Sequence, residues 1–259
     1  MIVEYAADPG RALDAAVRSL EKGGLVVLPT DTVYGIGADA FSAEAVSRLL
    51  AAKGRGRQMP PPVLVSSTHV LDALAVNIRS EVRDLVAAFW PGALTLILPA
   101  QPSLDWDLGE TRGTVALRMP DHPVALALLE RWGPMAVTSA NLTGQPPAED
   151  TATAEGYFRG DVAVYLDAGP AAGMVPSTIV DATRVPMRIV RQGALTEAEL
   201  AAVVPELAAG VPEPAAGVPE PVGEGACEWS GGVRGGRRAG RPGFGGGFPG
   251  AGRCVATSW

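Results

Sequence analysis

The sequence predicts an α/β domain with a twisted, mixed β-sheet flanked by helices, followed by a disordered tail. Three observations carry that reading. Short apolar runs of strand type alternate with helical stripes throughout residues 1–204, the interleaving that an α/β sheet requires. Glycine and proline fall between these runs, at Gly23-Gly24, Gly54 and Trp90-Pro91-Gly92. From Pro205 onward the pattern stops: 15 Gly and 7 Pro occur with almost no aliphatic periodicity, too little apolar surface to offset the entropy of ordering the segment. The expected division is a folded domain over 1–204 and a Pro/Gly/Arg-rich low-complexity tail over 205–259.

Taken in order, residues 2–5 read as a short edge strand. Leu13, Val17 and Leu20 recur at i, i+4 and i+7 and mark an amphipathic helix closed by Gly23-Gly24. The buried-type strand 25–28 follows at once, and Gly35-x-Gly37 then reads as a loop. Ser42 can cap the next helix, with Glu44 in its first turn and Val46, Leu49 and Leu50 as its buried stripe. Gly54 suits the left-handed position after that helix. Strands are expected over 63–65, 94–98, 114–117, 135–138, 163–166, 178–180 and 188–190. Helices are expected over 81–89, stopped by Trp90-Pro91-Gly92, over 124–132, and near 196–203.

Composition bounds the partners. The formal charge is −7, and before residue 205 there are 16 Lys+Arg against 23 Asp+Glu. An acidic domain argues against indiscriminate nucleic-acid binding, while leaving room for a local basic pocket. Cys227 and Cys254, the only cysteines, lie in the tail, so no disulfide framework or thiolate metal site is expected to hold the domain. The N-terminus shows no basic-then-apolar leader, and no run approaches about 18 apolar residues, so a cytoplasmic location off the membrane is expected. Within the tail, Ala-Gly-Val-Pro-Glu-Pro occurs at 209–214 and 216–221 and suggests an extended linker. Arg234-Gly235-Gly236 could belong to a nucleic-acid tail, but five Arg in the whole tail favour disordered filler.

Chemistry concentrates at predicted strand ends, where open α/β sheets bind ligands. Thr30 and Thr32 follow the strand 25–28; Thr138, Ser139 and Asn141 follow 135–138; Ser177 and Thr178 open 178–180. A single such hydroxyl is usually a turn cap, but the recurrence points to a site. Lys53, Arg55 and Arg57 lie in five residues on a glycine-loosened loop, with Pro60-Pro61-Pro62 beyond. That is more charge than helix capping needs, and it suits a polyphosphate. Arg118 ends an apolar strand and must find an anion, either a protein carboxylate or a ligand; the same logic covers Arg191. Trp90 reads as packing at the helix stop. His69 and His122 are not spaced for a metal or a nucleophile–base pair, and no metal site is expected. Neither Gly-x-x-x-x-Gly-Lys-Ser/Thr nor a dinucleotide glycine fingerprint occurs.

The order of these motifs resembles the YrdC-type threonylcarbamoyl-AMP synthases. The resemblance runs through Pro29-Thr30-Asp31-Thr32-Val33-Tyr34-Gly35, then Lys53-x-Arg55 with Pro60, then Trp90-Pro91-Gly92 and Arg118-Met119-Pro120. It continues through Thr138-Ser139-Ala140-Asn141-Leu142-Thr143-Gly144, Pro176-Ser177-Thr178-Ile179-Val180-Asp181 and Arg191-Gln192-Gly193. It covers about residues 10–195 and implies a single YrdC-like domain in the minimal form, without the additional C-terminal domain of longer members.

The activity it implies is formation of threonylcarbamoyl-AMP and pyrophosphate from L-threonine, bicarbonate and ATP with magnesium. A tRNA-modifying transferase complex downstream would use the product beside the anticodon, with weak or no direct tRNA binding here. By that resemblance Lys53, Arg55 and Ser139 are catalytic, and Thr32, Arg118, Thr138 and Ser177 or Thr178 hold threonine. Thr114, Ser139, Asn141 and Arg191, with Lys53 and Arg55, meet the nucleotide. One departure stands out: most such sequences carry a His where Leu64 stands. The alternative is a non-catalytic tRNA- or rRNA-binding module of the same fold, against which the acidic composition counts. Carbamoyl transfer of the hydrogenase-maturation type ranks last, because its acylphosphatase and zinc-finger parts are missing.

Overall fold

A computed structural model describes residues 1–171, 173 and 175–209. The expected disorder of the tail concerns residues that, from 210 on, lie outside those described. The chain order is β1 (Ile2–Glu4), α1 (Pro9–Glu21), β2 (Leu25–Leu28), β3 (Gly35–Asp39), α2 (Ala43–Ala52), β4 (Val63–Leu64) and the single-turn α3 (Leu71–Leu74). Then come α4 (Ser80–Phe89), β5 (Leu94–Pro99), β6 (Thr114–Arg118), α5 (Pro123–Trp132), β7 (Met135–Ser139) and α6 (Thr151–Phe158). The strands β8 (Val162–Asp167), β9 (Thr178–Asp181) and β10 (Arg188–Arg191) precede α7 (Glu197–Val203).

The ten strands form one mixed sheet in the order β1-β8-β2-β3-β7-β4-β6-β5-β9-β10. β2 runs parallel to β8 but antiparallel to β3, and β6 runs parallel to β4 but antiparallel to β5. On one face α1 and α5 bury Ala12, Ala16, Leu20, Val124, Leu128 and Leu129 against Val26, Leu28, Val137 and Val164. On the other, α2, α4, α6 and α7 bury Val46, Leu49, Val82, Leu85, Phe158 and Leu200 against Val27, Ile36, Leu96, Leu117 and Tyr165. Both faces of the central strands are thus covered, which is why β2 reads Leu-Val-Val-Leu without alternation and is buried throughout.

Departures from the sequence reading have local causes. Gly35 to Asp39 is not a loop but the central strand β3, pairing with β2 and in register with β7 over five residues. Its glycines are steric necessities: a Cβ on Gly35 would lie 2.6 Å from Val137 Cγ1, and one on Gly37 2.9 Å from Val137 Cγ2. The folded part also runs past residue 204. A short helical turn over Pro205–Ala209 follows, burying Leu207 with Met187, while Glu206 faces Arg79 at 3.7 Å.

Candidate active site

The cation loop is built by a helix end. Ser42 caps α2 through its hydroxyl and Ala45 N, and the helix closes in a Schellman motif. Gly54 takes φ +64° and donates to Ala51 O at 2.9 Å, and Arg55 N reaches Leu50 O at 2.9 Å. Lys53 and Arg55 therefore flank the left-handed glycine and turn toward the end of β7. Lys53, on what the sequence reads as a glycine-loosened loop, is buried at the helix end and only 1% exposed. Its Nζ donates to Ser139 O at 2.5 Å and to Asn141 Oδ1 at 2.9 Å, both neutral acceptors. Burial, with Arg55 adding repulsion, brings the Lys53 ammonium down to about 7.

Arg55 Nη1 donates to Thr138 Oγ1 at 3.0 Å, while its buried Nε has no hydrogen-bond partner among the described residues. A guanidinium N–H without an acceptor is costly, and Arg55 carries that cost beside Thr138. Arg57 leaves the cluster: it faces solvent and pairs with Asp107 at 2.7 Å. The convergent cations are thus Lys53 and Arg55, not all three.

Arg118 ends β6 and is 7% exposed. All three of its nitrogens are engaged: Nε with Gly92 O at 3.0 Å, Nη1 with Thr32 Oγ1 at 3.0 Å, and Nη2 with Asp31 Oδ1 at 2.6 Å. The anion that this Arg required is therefore present in the fold, although one carboxylate does not use up a forked cation at a strand end. Arg191, on β10, sends Nε and Nη2 to Ser177 O at 3.2 and 2.8 Å. Its affinity for its proton is lowered by burial of the guanidinium and then by Arg118 and Arg55, so these three cations lie within electrostatic reach of one another.

The hydroxyls divide. Thr32 and Thr138 are buried and each accepts from an arginine, Thr32 from Arg118 and Thr138 from Arg55. Ser139 Oγ donates to Asn141 Oδ1 at 2.6 Å, so Ser139, Asn141 and Lys53 form one network. Ser177 shares a 2.8 Å hydrogen bond with Thr95 and accepts from Arg191. Thr30 is a turn cap, donating to Val33 O at 2.6 Å.

Two expected residues do not join. Thr178 Oγ1 donates to Leu195 O and accepts from Gly193 N and Leu195 N, which exhausts a hydroxyl's capacity; of the pair Ser177 and Thr178, the structure brings Ser177. Thr114 stands at the far end of β6 from Arg118 and donates to Thr111 O. Leu64 is paired in register with Arg118 and buried in the apolar layer under α1 and α5.

Sequence reasoning passed over Asp31, although it sits inside the quoted Pro-Thr-Asp-Thr run, because the recurrence it followed was of hydroxyls. It also missed a close approach to that run: a Cβ on Gly173 would lie 2.9 Å from Asp31 O and 3.0 Å from Thr32 O, so Gly173 rests against the Asp31–Thr32 backbone. Proximity across 140 residues leaves no local signal.

The family model named for Sua5, YciO and YrdC, described as telomere recombination, matches residues 18–193. The chain belongs to this family. Every site residue described above, from Asp31 to Arg191, falls within the matched span. A Mycobacterium tuberculosis protein named as a candidate threonylcarbamoyl-AMP synthase is 52% identical over 201 residues, 76% of this chain and 93% of that one. The threonylcarbamoyl-AMP synthase of Bacillus subtilis is 38% identical over 200 residues, 76% of this chain and 57% of its own length. Among solved structures, Sua5 of P. abyssi complexed with L-threonine superposes with TM-score 0.75 at 35% identity, over 80% of this chain and 61% of that one.

Proposed function

We propose that this chain is an L-threonylcarbamoyladenylate synthase, a nucleotidyltransferase taking L-threonine, bicarbonate and ATP to threonylcarbamoyl-AMP and pyrophosphate. The observation that carries the reading is the charge balance of the site. Lys53, Arg55, Arg118 and Arg191 converge on the ends of β6, β7 and β9, and among the described residues Asp31 is the one carboxylate paired with any of them. Such a surplus suits a ligand set with one carboxylate and three phosphates. Relatives bearing the synthase name at 38% and 52% identity support the same reading.

In the reaction the threonine amine bonds to the carbon of dissolved carbon dioxide and releases a proton, or to that of bicarbonate and releases water. A carbamate oxygen then attacks the α-phosphorus of ATP, the bond to the β-phosphate bridge breaks, and pyrophosphate leaves. Arg118 and Thr32 would orient threonine, with Thr138 beside them, while Lys53, Arg55 and Arg191 would neutralise charge on the phosphates. Positioning and electrostatic stabilisation are then most of the catalysis, and no acid–base dyad is required of the chain.

ATP would arrive as its magnesium complex. Such an ion would be held chiefly by phosphates and water; among the described residues no group of three or more His, Cys, Asp or Glu side chains gathers. Among those residues no helix is long and apolar enough to cross a membrane, and a cytoplasmic setting is part of the proposal. The product would pass to a tRNA-modifying transferase complex, with little or no direct tRNA binding by this chain. The test is pyrophosphate release from ATP: it should require threonine and bicarbonate together, and release independent of threonine would refute the assignment.

A further inference from the structure

We propose that the connection between β5 and β6 is a strap that sets the position of Arg55, with Asp107 as a positioning residue that acts through Arg57. The inference rests on the nucleotide reading above and goes beyond it, since neither Asp107 nor Arg57 is assigned to a ligand.

Helix α2 and the turn after β7 tie one side of the cation loop. Lys53 O accepts from Thr143 N at 3.3 Å and from Thr143 Oγ1 at 2.8 Å, and Arg55 N is held by Leu50 O. Beyond Arg55 the chain passes into Gly56, whose carbonyl serves a turn to Met59 N at 3.2 Å. Arg55 thus stands between two glycines, the residues with the most backbone freedom to lose. A ligand that needs this guanidinium in one place must order that stretch itself, unless the fold has already done so.

The strap holds the other side. Glu110 N donates to Arg57 O at 2.8 Å, and Gly109, at φ +105°, comes so close that a Cβ would lie 2.6 Å from the same oxygen. Asp107 accepts from Arg57 Nη2 on both carboxylate oxygens, at 2.7 and 3.0 Å, and from Gly109 N at 3.0 Å. These contacts, that to Arg57 first, hold the Asp107 carboxyl below the usual carboxylate range. Asp107 therefore fixes the Arg57 side chain directly and, through Gly109, the backbone that meets Arg57 O. The strap is itself anchored: Leu108 is buried in the core layer of Val46 and Leu49, and Trp106 stacks on Phe41, just before α2, with ring centroids 5.5 Å apart.

Arg57 and Asp107 are 58% and 41% exposed, so their pairing adds little to global stability. Its effect is local, closing the loop on the side away from Lys53. The charge of Asp107 alone would act the other way: a carboxylate near a polyphosphate site repels the ligand, so removing it would tighten binding. Position and charge thus give opposite signs for the loss of Asp107.

The test is calorimetric titration of the full chain with a non-hydrolysable ATP analogue and magnesium, and separately with L-threonine. Asp107→Ala should lose about fivefold or more in affinity for the analogue, the scale of ordering one backbone residue, while threonine binds as before. Adding Gly56→Ala should recover part of that loss, because alanine has less freedom to surrender. The position accepts it: Gly56 has no left-handed φ, and the nearest atoms to the new Cβ belong to the flexible end of Gln58.

Analogue binding that is unchanged or tighter in Asp107→Ala would overturn the inference, leaving Asp107 to act by charge or not at all. Equal weakening of both ligands would make the strap a general support and overturn it too, as would a loss that Gly56→Ala leaves untouched. A wild-type chain that does not bind the analogue would refute the nucleotide reading itself, a result distinct from failure of the strap because it needs no variant.

Discussion

Lys53 Nζ lies 2.9 Å from Asn141 Oδ1, joining the C-terminus of α2 to the turn after β7 across 88 positions of sequence. The same Asn accepts from Ser139 Oγ and donates to Leu142 O and Gln145 O, so it is locked in one orientation. Lys53 thus holds an ammonium in a buried pocket with only neutral acceptors, a state that an arriving phosphate would stabilise.

Proton uptake follows from that state. With Lys53 brought down to about 7 in the free chain, it is mostly neutral at pH 8. Phosphate oxygens raise its proton affinity again, so binding ATP at pH 8 should take up about one proton, and at pH 6 almost none. Titration in buffers of different ionisation enthalpy measures this directly. A binding enthalpy independent of buffer at pH 8 would separate Lys53 from the phosphates.

Stability without ligand should respond with the matching sign. The folded state holds this proton less tightly than the unfolded chain, whose lysine titrates near 10.4. Between about 7 and that value the unfolded state binds more protons, so the contribution of Lys53 to stability grows as pH rises and is lost as pH falls through about 7. Wild type should gain on Lys53→Met from pH 6.5 to 9, with a slope of at most about 1.4 kcal/mol per pH unit. Denaturant midpoints of the two proteins that stay parallel across this range would contradict the burial argument.

Gly35→Ala should destabilise the domain by about 1–3 kcal/mol, since its new Cβ meets Val137 Cγ1 at 2.6 Å in the middle of the sheet. Val137→Ala in the same chain should recover part of that loss, a coupling that a double-mutant cycle reads. Additive losses would show that the glycine is needed for its backbone rather than for space. This position also explains what the sequence concealed. The flanking strands were legible because Leu25–Leu28 and Met135–Ser139 carry apolar runs, whereas β3 reads Gly-Ile-Gly-Ala-Asp. Its strand character comes from pairing on both sides, not from its own propensity. Helix α6 hid for a related reason: Thr151, Ala154 and Phe158 make a thin buried stripe, and its one sequence mark is Asp150, which caps Thr153 N at 2.7 Å.

Chains ending after residue 204 and after residue 209 should behave differently. The shorter one loses Leu207, which is 1% exposed, and the Glu206–Arg79 contact beside α4. Burying a leucine contributes about 2 kcal/mol, so its melting temperature should fall by several degrees, while the longer one should match the full chain. Equal melting of the two would mean that Leu207 covers nothing essential. The composition shift at Pro205 located the change within a few residues. It could not show that one leucine of the Pro-Glu-Leu-Ala-Ala segment folds back, because a single large apolar residue has no period.

Arg118 tests the whole assignment of ligands. The sequence required an anion for it and left open whether protein or substrate supplied one, and the structure answers that Asp31 does so in the fold. Arg118→Lys should therefore have two effects. A lysine cannot reach Gly92 O, Thr32 Oγ1 and Asp31 Oδ1 at once, so the domain should lose stability, visible as a lower denaturant midpoint. Threonine should also bind more weakly, by about 2–4 kcal/mol, because an ammonium lacks the planar fork that matches a carboxylate. ATP binding, which the proposal assigns to Lys53, Arg55 and Arg191, should change far less. A variant that binds threonine normally but has lost ATP would interchange the two assignments. One that is less stable yet binds both ligands as before would leave Arg118 a structural bridge to Asp31, and the carboxylate of the amino acid would have to be sought at Arg55, whose buried Nε has no other partner among the described residues.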